Sequence, residues 1–375
     1  MYRAALAKMK PYAPGEQPPP GKFIKLNTNE NPYSPPPAAV EAIRAAATGP
    51  LNRYPDPQAT AFRRAAAQRL GLPGPEWVLA GNGSDEILTI LVRGFVGEGE
   101  TLRLPHPSYI LYRTLADIQG ARWEQVDFDE SWQLPPAFAA PSDDLRLVLL
   151  PNPNSPSGTV LATDQIAAMA ESLTCPLVVD EAYADFAEDN CLRLVQANER
   201  VLVTRTLSKS YGLAGLRFGF LVAQPHVIAE LGKIKDSYNC DAVSIAAATA
   251  AMHSEPWLDD VVGKMNATRE RLGDGLRQLG FTVTPSQANF IWCRHPAMVG
   301  QDATASHADV YQFLKQNQIL IRYMDFPPWG DGLRISVGTD DQIDACLLMI
   351  GRALASLNLP ADVTAPSTTS SATTT

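Results

Sequence analysis

The chain has 375 residues, 45% of them hydrophobic, and a formal net charge of -9 at pH 7. Single cores stop growing near about 250 to 300 residues, so two lobes are expected. The acidic balance denies a nucleic acid the basic footprint its phosphates require, which leaves a small molecule as the expected partner.

Residues 1–37 are rich in Pro, Gly and Asn, with breakers at 18–20 and 35–37, and read as an extended arm with little regular structure. Helical periodicity follows in AAVEAIRAAA, a turn at RYPDP, and helix again in TAFRRAAAQRL. Apolar, β-branched runs at 145–150, 176–179, 201–204 and 218–222 alternate with helical stretches such as 164–173. That rhythm predicts a largely parallel sheet covered by helices. A long helical pattern over 257–279 then leads to short strands, FTVTP, NFIWCR, ILIRYM and GLRISVG, with two helices, which reads as a smaller α/β lobe. The expected division is an arm at 1–37, a large domain at 38–255, a small one at 256–360 and a disordered Ser/Thr-rich tail at 361–375.

Chemistry concentrates at strand ends. In TLSKSYGLAGLRFGF a strand closes on Ser208 and Lys209 and runs through small residues to Arg217. A Ser-Lys pair alone would be an ordinary surface feature; the nearby arginine and an upstream carboxylate change its meaning. That carboxylate is Asp180 in PLVVDEAYADF, at the end of a buried strand, with Tyr183 three residues on. Open α/β sheets bind ligands at this edge, so Asp180 and Lys209 are placed to face one cofactor. A buried Asp is costly unless paired, and a protonated pyridine nitrogen would offset that cost. In VLAGNGSDEILTILVRGF, Gly81, Gly83, Ser84 and Asp85 precede an apolar-periodic helix, whose free N–H groups and dipole suit a phosphate. NPNSPSG, at 152–158, turns at the same edge after LRLVLL.

The ordered set GSDE, PSY, NPNSPSG, DEAY, LSKSYGLAGLR and LRISVG resembles the fold-type-I, pyridoxal 5'-phosphate (PLP) dependent aminotransferases, over about residues 11–357. Within them, LNTNENPYSP, RYPDP and the spacing around Lys209 look like the histidinol-phosphate aminotransferase family. The resemblance implies an α/β fold with a mostly parallel seven-stranded sheet in the large domain and a smaller α/β C-terminal domain. It makes Lys209 the Schiff-base lysine, Asp180 the partner of the ring nitrogen, and Tyr183 a donor to the 3'-oxygen. Tyr109 would stack on the ring, while Ser84 and Asp85 supply backbone N–H groups to the phosphate, aided by Ser208 and Arg217. Tyr54 would reach the phosphate from a second subunit, implying a homodimer with shared active sites.

One position departs from the pattern. The family usually has Asn before the Pro of its Asn-Pro-Thr-Gly motif; here Ser155 stands there, after Asn154, and either could hold the 3'-oxygen. Arg334, in GLRISVG, matches the family's carboxylate-binding arginine, Arg322 its second arginine, and Tyr12 an N-terminal tyrosine that contacts substrate. The implied reaction moves an amino group between histidinol phosphate and 2-oxoglutarate, yielding glutamate. An aromatic-amino-acid aminotransferase would keep the same cofactor residues, as would a threonine-phosphate decarboxylase. A PLP-binding regulator would need a DNA-binding or partner-binding extension, and neither the Pro-rich arm nor the tail, which lacks a basic run, supplies one. Five scattered cysteines without CxxC spacing suggest neither a disulfide framework nor a metal site. With no signal-like apolar segment and no membrane-length run, a cytoplasmic location is expected.

Overall fold

The computed structural model describes residues 2, 9, 15–19, 21–300, 303–327 and 329–359. The expected tail, and Tyr12, lie outside the described residues. After β1 (Ile24–Lys25), helices α1 (Pro37–Ala47) and α2 (Thr60–Arg69) lead into the main sheet. Its strands are β2 (Val78–Gly81), β3 (Thr101–His106), β4 (Arg122–Asp127), β5 (Leu145–Pro151), β6 (Leu177–Asp180), β7 (Val201–Thr206) and β8 (Gly219–Val222). Between them run α3 (Ser84–Phe95), α4 (Leu111–Gln119), α5 (Thr163–Ser172) and α6 (Leu192–Ala197), and α7 (Pro225–Leu231) and α8 (Ala242–Met252) follow. The spatial order is β2-β8-β7-β6-β5-β3-β4, parallel except for β8, which runs antiparallel to both neighbours. The expected seven-stranded, mostly parallel sheet is thus present.

The central strands read as continuous apolar runs because both of their faces are covered. Alternate side chains divide between two cores: Val148, Leu150, Leu177, Val179, Val201 and Val203 enter one, and Leu147, Leu149, Val178 and Leu202 the other. Each fully buried side chain of this size contributes roughly 1.5–3 kcal/mol. Because the cores grip these strands from both sides, their C-terminal ends, where Asp180 and the Lys209 turn lie, rest on rigid ground.

Helix α9 (Glu255–Gln278) leads to β9 (Thr282–Val283), β10 (Phe290–Arg294), α10 (His307–Gln316), β11 (Ile319–Leu320), β12 (Arg322–Phe326), β13 (Gly330–Ser336) and α11 (Asp340–Ser356). Four of these strands form an antiparallel sheet in the order β12-β13-β10-β9, with a separate core that includes Leu272, Ile291, Leu314, Leu333 and Ile350. Residues Ile24 and Lys25 pair in parallel with Ile319 and Leu320, so the arm is stitched to the C-terminal layer. A two-residue strand whose partner lies nearly 300 positions away leaves no local signature.

Candidate active site

A cavity of about 710 Å³ opens at the C-terminal ends of β5, β6 and β7, and the arm, α3, α4, β12 and β13 also wall it. Asp180 is its deepest charge, 5% exposed. The carboxylate accepts from Tyr112 Oη (2.8 Å), Thr204 Oγ1 (3.1 Å) and the Ala182 N–H (3.3 Å). Burial pushes its carboxyl above the usual range against the pull of those hydrogen bonds, so the pocket favours a cationic partner for it. Tyr112 was not anticipated; it lies three residues after Tyr109, one helical turn along the same motif.

Lys209 follows β7 and lines the same cavity. Its Nζ donates to the Thr28 carbonyl (3.3 Å) and sits 5.7 Å from the Tyr183 ring centroid. Thr28 and its neighbours Asn27 and Asn29 form a strap that the sequence reading did not assign to the site. Asn29 Nδ2 donates to Tyr183 Oη at 2.9 Å.

At the N-terminus of α3, Ser84 and Asp85 face Arg217. Arg217 Nη2 donates to Asp85 Oδ2 (3.0 Å), and Tyr109 Oη donates to Asp85 Oδ1 (3.1 Å). Ser208 is buried and takes the Thr206 hydroxyl at 3.0 Å, and both residues line the cavity. The concavity depends on two glycines. Gly83 has φ +81°, and a Cβ there would lie 2.8 Å from Arg217 Nη2. A Cβ on Gly219 would lie 2.4 Å from the Ser84 nitrogen. The open helix N-terminus, flanking hydroxyl and guanidinium make a cradle fitted to a phosphate.

The loop after β5 separates Asn154 from Ser155. Asn154 is buried, its amide nitrogen donating to Pro107 O (3.2 Å) and Ser157 Oγ (2.9 Å), whereas Ser155 lines the cavity. Ser155 Oγ accepts from Arg334 Nη1 (3.0 Å), whose Nη2 donates to Asn27 O (3.1 Å). Arg322 stands directly across from Arg334 in the β12–β13 register, and both line the cavity. Two like charges opposed on neighbouring strands are unfavourable by themselves, and an anion between them would relieve the repulsion. Arg113, Asp117 and Met324 complete the wall and were not foreseen. Tyr54 does not line this cavity; it is 79% exposed and stacks on Tyr238 at 4.3 Å between centroids.

The family model described as aminotransferase class I and II matches residues 21–350. A histidinol-phosphate aminotransferase of Rhodopirellula baltica is 75% identical over 367 residues, 98% of this chain and 99% of that one. The chain belongs to the class I and II aminotransferases. A further aminotransferase of this kind, the histidinol-phosphate enzyme of Geotalea daltonii, is 43% identical over 93% of this chain and 98% of its own. Among solved structures, the Sinorhizobium meliloti histidinol-phosphate aminotransferase in complex with pyridoxal 5'-phosphate superposes with a TM-score of 0.81 at 27% identity. That match covers 89% of this chain and 91% of that one. Aminotransferases of this family are PLP enzymes. The cavity fits the cofactor's chemistry: an anion cradle at α3, a lysine for the aldehyde, and a buried carboxylate that needs a cation.

Proposed function

We propose that this aminotransferase transfers an amino group between histidinol phosphate and 2-oxoglutarate, forming imidazole acetol phosphate and glutamate. The 75% identity to the Rhodopirellula enzyme across almost the whole of both chains carries this reading. The opposed arginines support it, since a dual-substrate enzyme must take a carboxylate from one partner and a phosphate from the other at the same end of its cavity.

In this reading the N–H groups of Ser84 and Asp85, with Ser208 and Arg217, hold the cofactor phosphate, and Asp180 holds the ring nitrogen protonated. Tyr109 would stack on the ring, and Tyr183 and Ser155 would take its 3'-oxygen, a choice supported by their lining the cavity where Asn154 does not. Bound PLP supplies an electron sink for the negative charge that develops at the substrate α-carbon. Lys209 would hold the cofactor at rest and, once its amine is free, would take the proton from the substrate α-carbon and deliver it to the cofactor's C4'. Arg334 forks onto the glutamate carboxylate and Arg322 onto the histidinol phosphate group. Tyr12 completes the substrate end.

Tyr54 reaches the phosphate of a second subunit, making the enzyme a homodimer with shared sites; its exposure and its absence from the cavity of its own chain are consistent with that role. Among the described residues no helix is long and apolar enough to cross a membrane. A cytoplasmic location is part of this reading, supported by the biosynthetic character of the reaction. The division into an arm at 1–37, a large domain at 38–255 and a small one at 256–360 is part of this reading, supported by the separation of the seven-stranded and four-stranded sheets.

An Arg322→Ala variant tests the substrate assignment. It should raise the KM for histidinol phosphate at least about tenfold, the loss of one charge-assisted contact, and change that for glutamate less. Equal losses for both substrates would remove Arg322 from phosphate recognition.

A further inference from the structure

Asn29 is buried, 2% exposed, and lies on the strap with φ +54°, a left-handed conformation that Asn and Asp tolerate better than other side chains. Four hydrogen bonds surround it. Its backbone N–H donates to Ser336 Oγ (2.9 Å), and Ser336 Oγ donates to Asn29 Oδ1 (3.1 Å). Its carbonyl accepts from Asn289 Nδ2 (2.9 Å), and its own Nδ2 donates to Tyr183 Oη (2.9 Å).

The directions of these contacts set the order of protons along the chain of groups. A backbone N–H can only donate, so Ser336 Oγ accepts there and has one hydrogen left to give. That hydrogen goes to Asn29 Oδ1, which turns the NH2 arm of the amide toward Tyr183. An NH2 can only donate, so the phenol oxygen accepts and keeps its single hydrogen for some other acceptor. Tyr183 lines the cavity, where that acceptor would be found.

We propose that Asn29, oriented by Ser336, is a positioning residue that fixes the Tyr183 hydroxyl as a hydrogen-bond donor into the cofactor cavity. The inference rests on the reading of this cavity as a PLP site and goes beyond it. It also ties Tyr183 to β13, the strand that carries Arg334 as well as Ser336, so the cofactor and substrate walls share one hydrogen-bonded strap.

Asn29→Asp tests the polarity with little change of shape. A carboxylate can only accept, so the Tyr183 proton turns to it and away from the cavity. A donor at the cofactor's 3'-oxygen stabilises the anionic form, and its loss moves the pH midpoint of the bound cofactor's visible absorption upward. The field of the new carboxylate adds to that shift, but it persists in a Tyr183→Phe background and cancels in the double-mutant comparison. The expected result is that Asn29→Asp raises the midpoint about one unit more in the native background than in Tyr183→Phe. Equal shifts in the two backgrounds would overturn the proposal. Ser336→Ala, which adds no charge, should shift the midpoint in the same direction by less, and serves where Asn29→Asp does not fold; no shift there would overturn it too. A native chain that develops no visible band with PLP would instead overturn the cofactor-site reading, and the proposal with it.

Discussion

Asp180 shows how burial and chemistry pull against each other at a single residue. Burial is the main force that holds its carboxyl above the ordinary range. The cofactor-free fold therefore binds a proton there more tightly than the unfolded chain does. Stability from this group is present at low pH and is lost as pH rises from the unfolded toward the folded pKa. Asp180→Asn removes that penalty. At neutral pH the cofactor-free variant should be more stable than the native chain by about 1–3 kcal/mol in urea unfolding, while retention of PLP falls. A variant less stable than the parent in the empty state would contradict this electrostatic account. Lys209, Asp180 and Arg217 were readable as candidates because each lies in a local motif at a strand end. Asn29, Thr28 and Tyr112 were not, since their meaning comes from contacts with Tyr183, Lys209 and Asp180 far along the chain. The choice between Asn154 and Ser155 was equally hidden, because it turns on the path of one loop backbone.

The central strands were legible as elements because a doubly covered strand must be apolar throughout. Strand β4 was missed for the opposite reason: RWEQVD is the sheet edge and most of it is exposed, so its composition is that of a loop. The start of α10 shows what an element can demand of one residue. His307 is fully buried, its Nε2 accepting from the His295 N–H (2.8 Å) and its Nδ1–H donating to Asp331 (3.1 Å). Burial depresses its pKa, with Arg294 and His295 acting in the same direction and Asp331 opposing. On acidification the unfolded chain takes a proton that the folded one refuses, so stability falls as pH drops through the ordinary histidine range. Denaturant midpoints should fall between about pH 7.5 and about pH 5.5, and fall less in His307→Gln. Identical pH dependence in the two proteins would show that His307 is not the group responsible.

For the whole molecule, the expected fold class and the seven-stranded sheet agree with the structure: the alternating apolar runs called for a largely parallel sheet, and the resemblance carried by the strand-end motifs implied its seven strands. The pairing of the arm with the C-terminal layer could not be read, as two-residue strands carry no periodicity. The shared-site proposal makes a prediction at this scale. Mixed subunits of Lys209→Ala and Tyr54→Ala, each inactive or impaired alone, form one site in which both Lys209 and the partner's contribution are intact. Activity should return on mixing and reassociation; its failure to return despite verified heterodimers would place Tyr54 outside the partner's site.

The central claim is tested most directly by a half-reaction. The PLP-loaded protein is mixed with histidinol phosphate or with phenylalanine, without a keto acid, and loss of the bound cofactor's visible band is followed. Rapid conversion by histidinol phosphate and slow conversion by phenylalanine is the predicted result. The reverse preference would contradict the substrate assignment and make this an aromatic-amino-acid aminotransferase built around the same lysine.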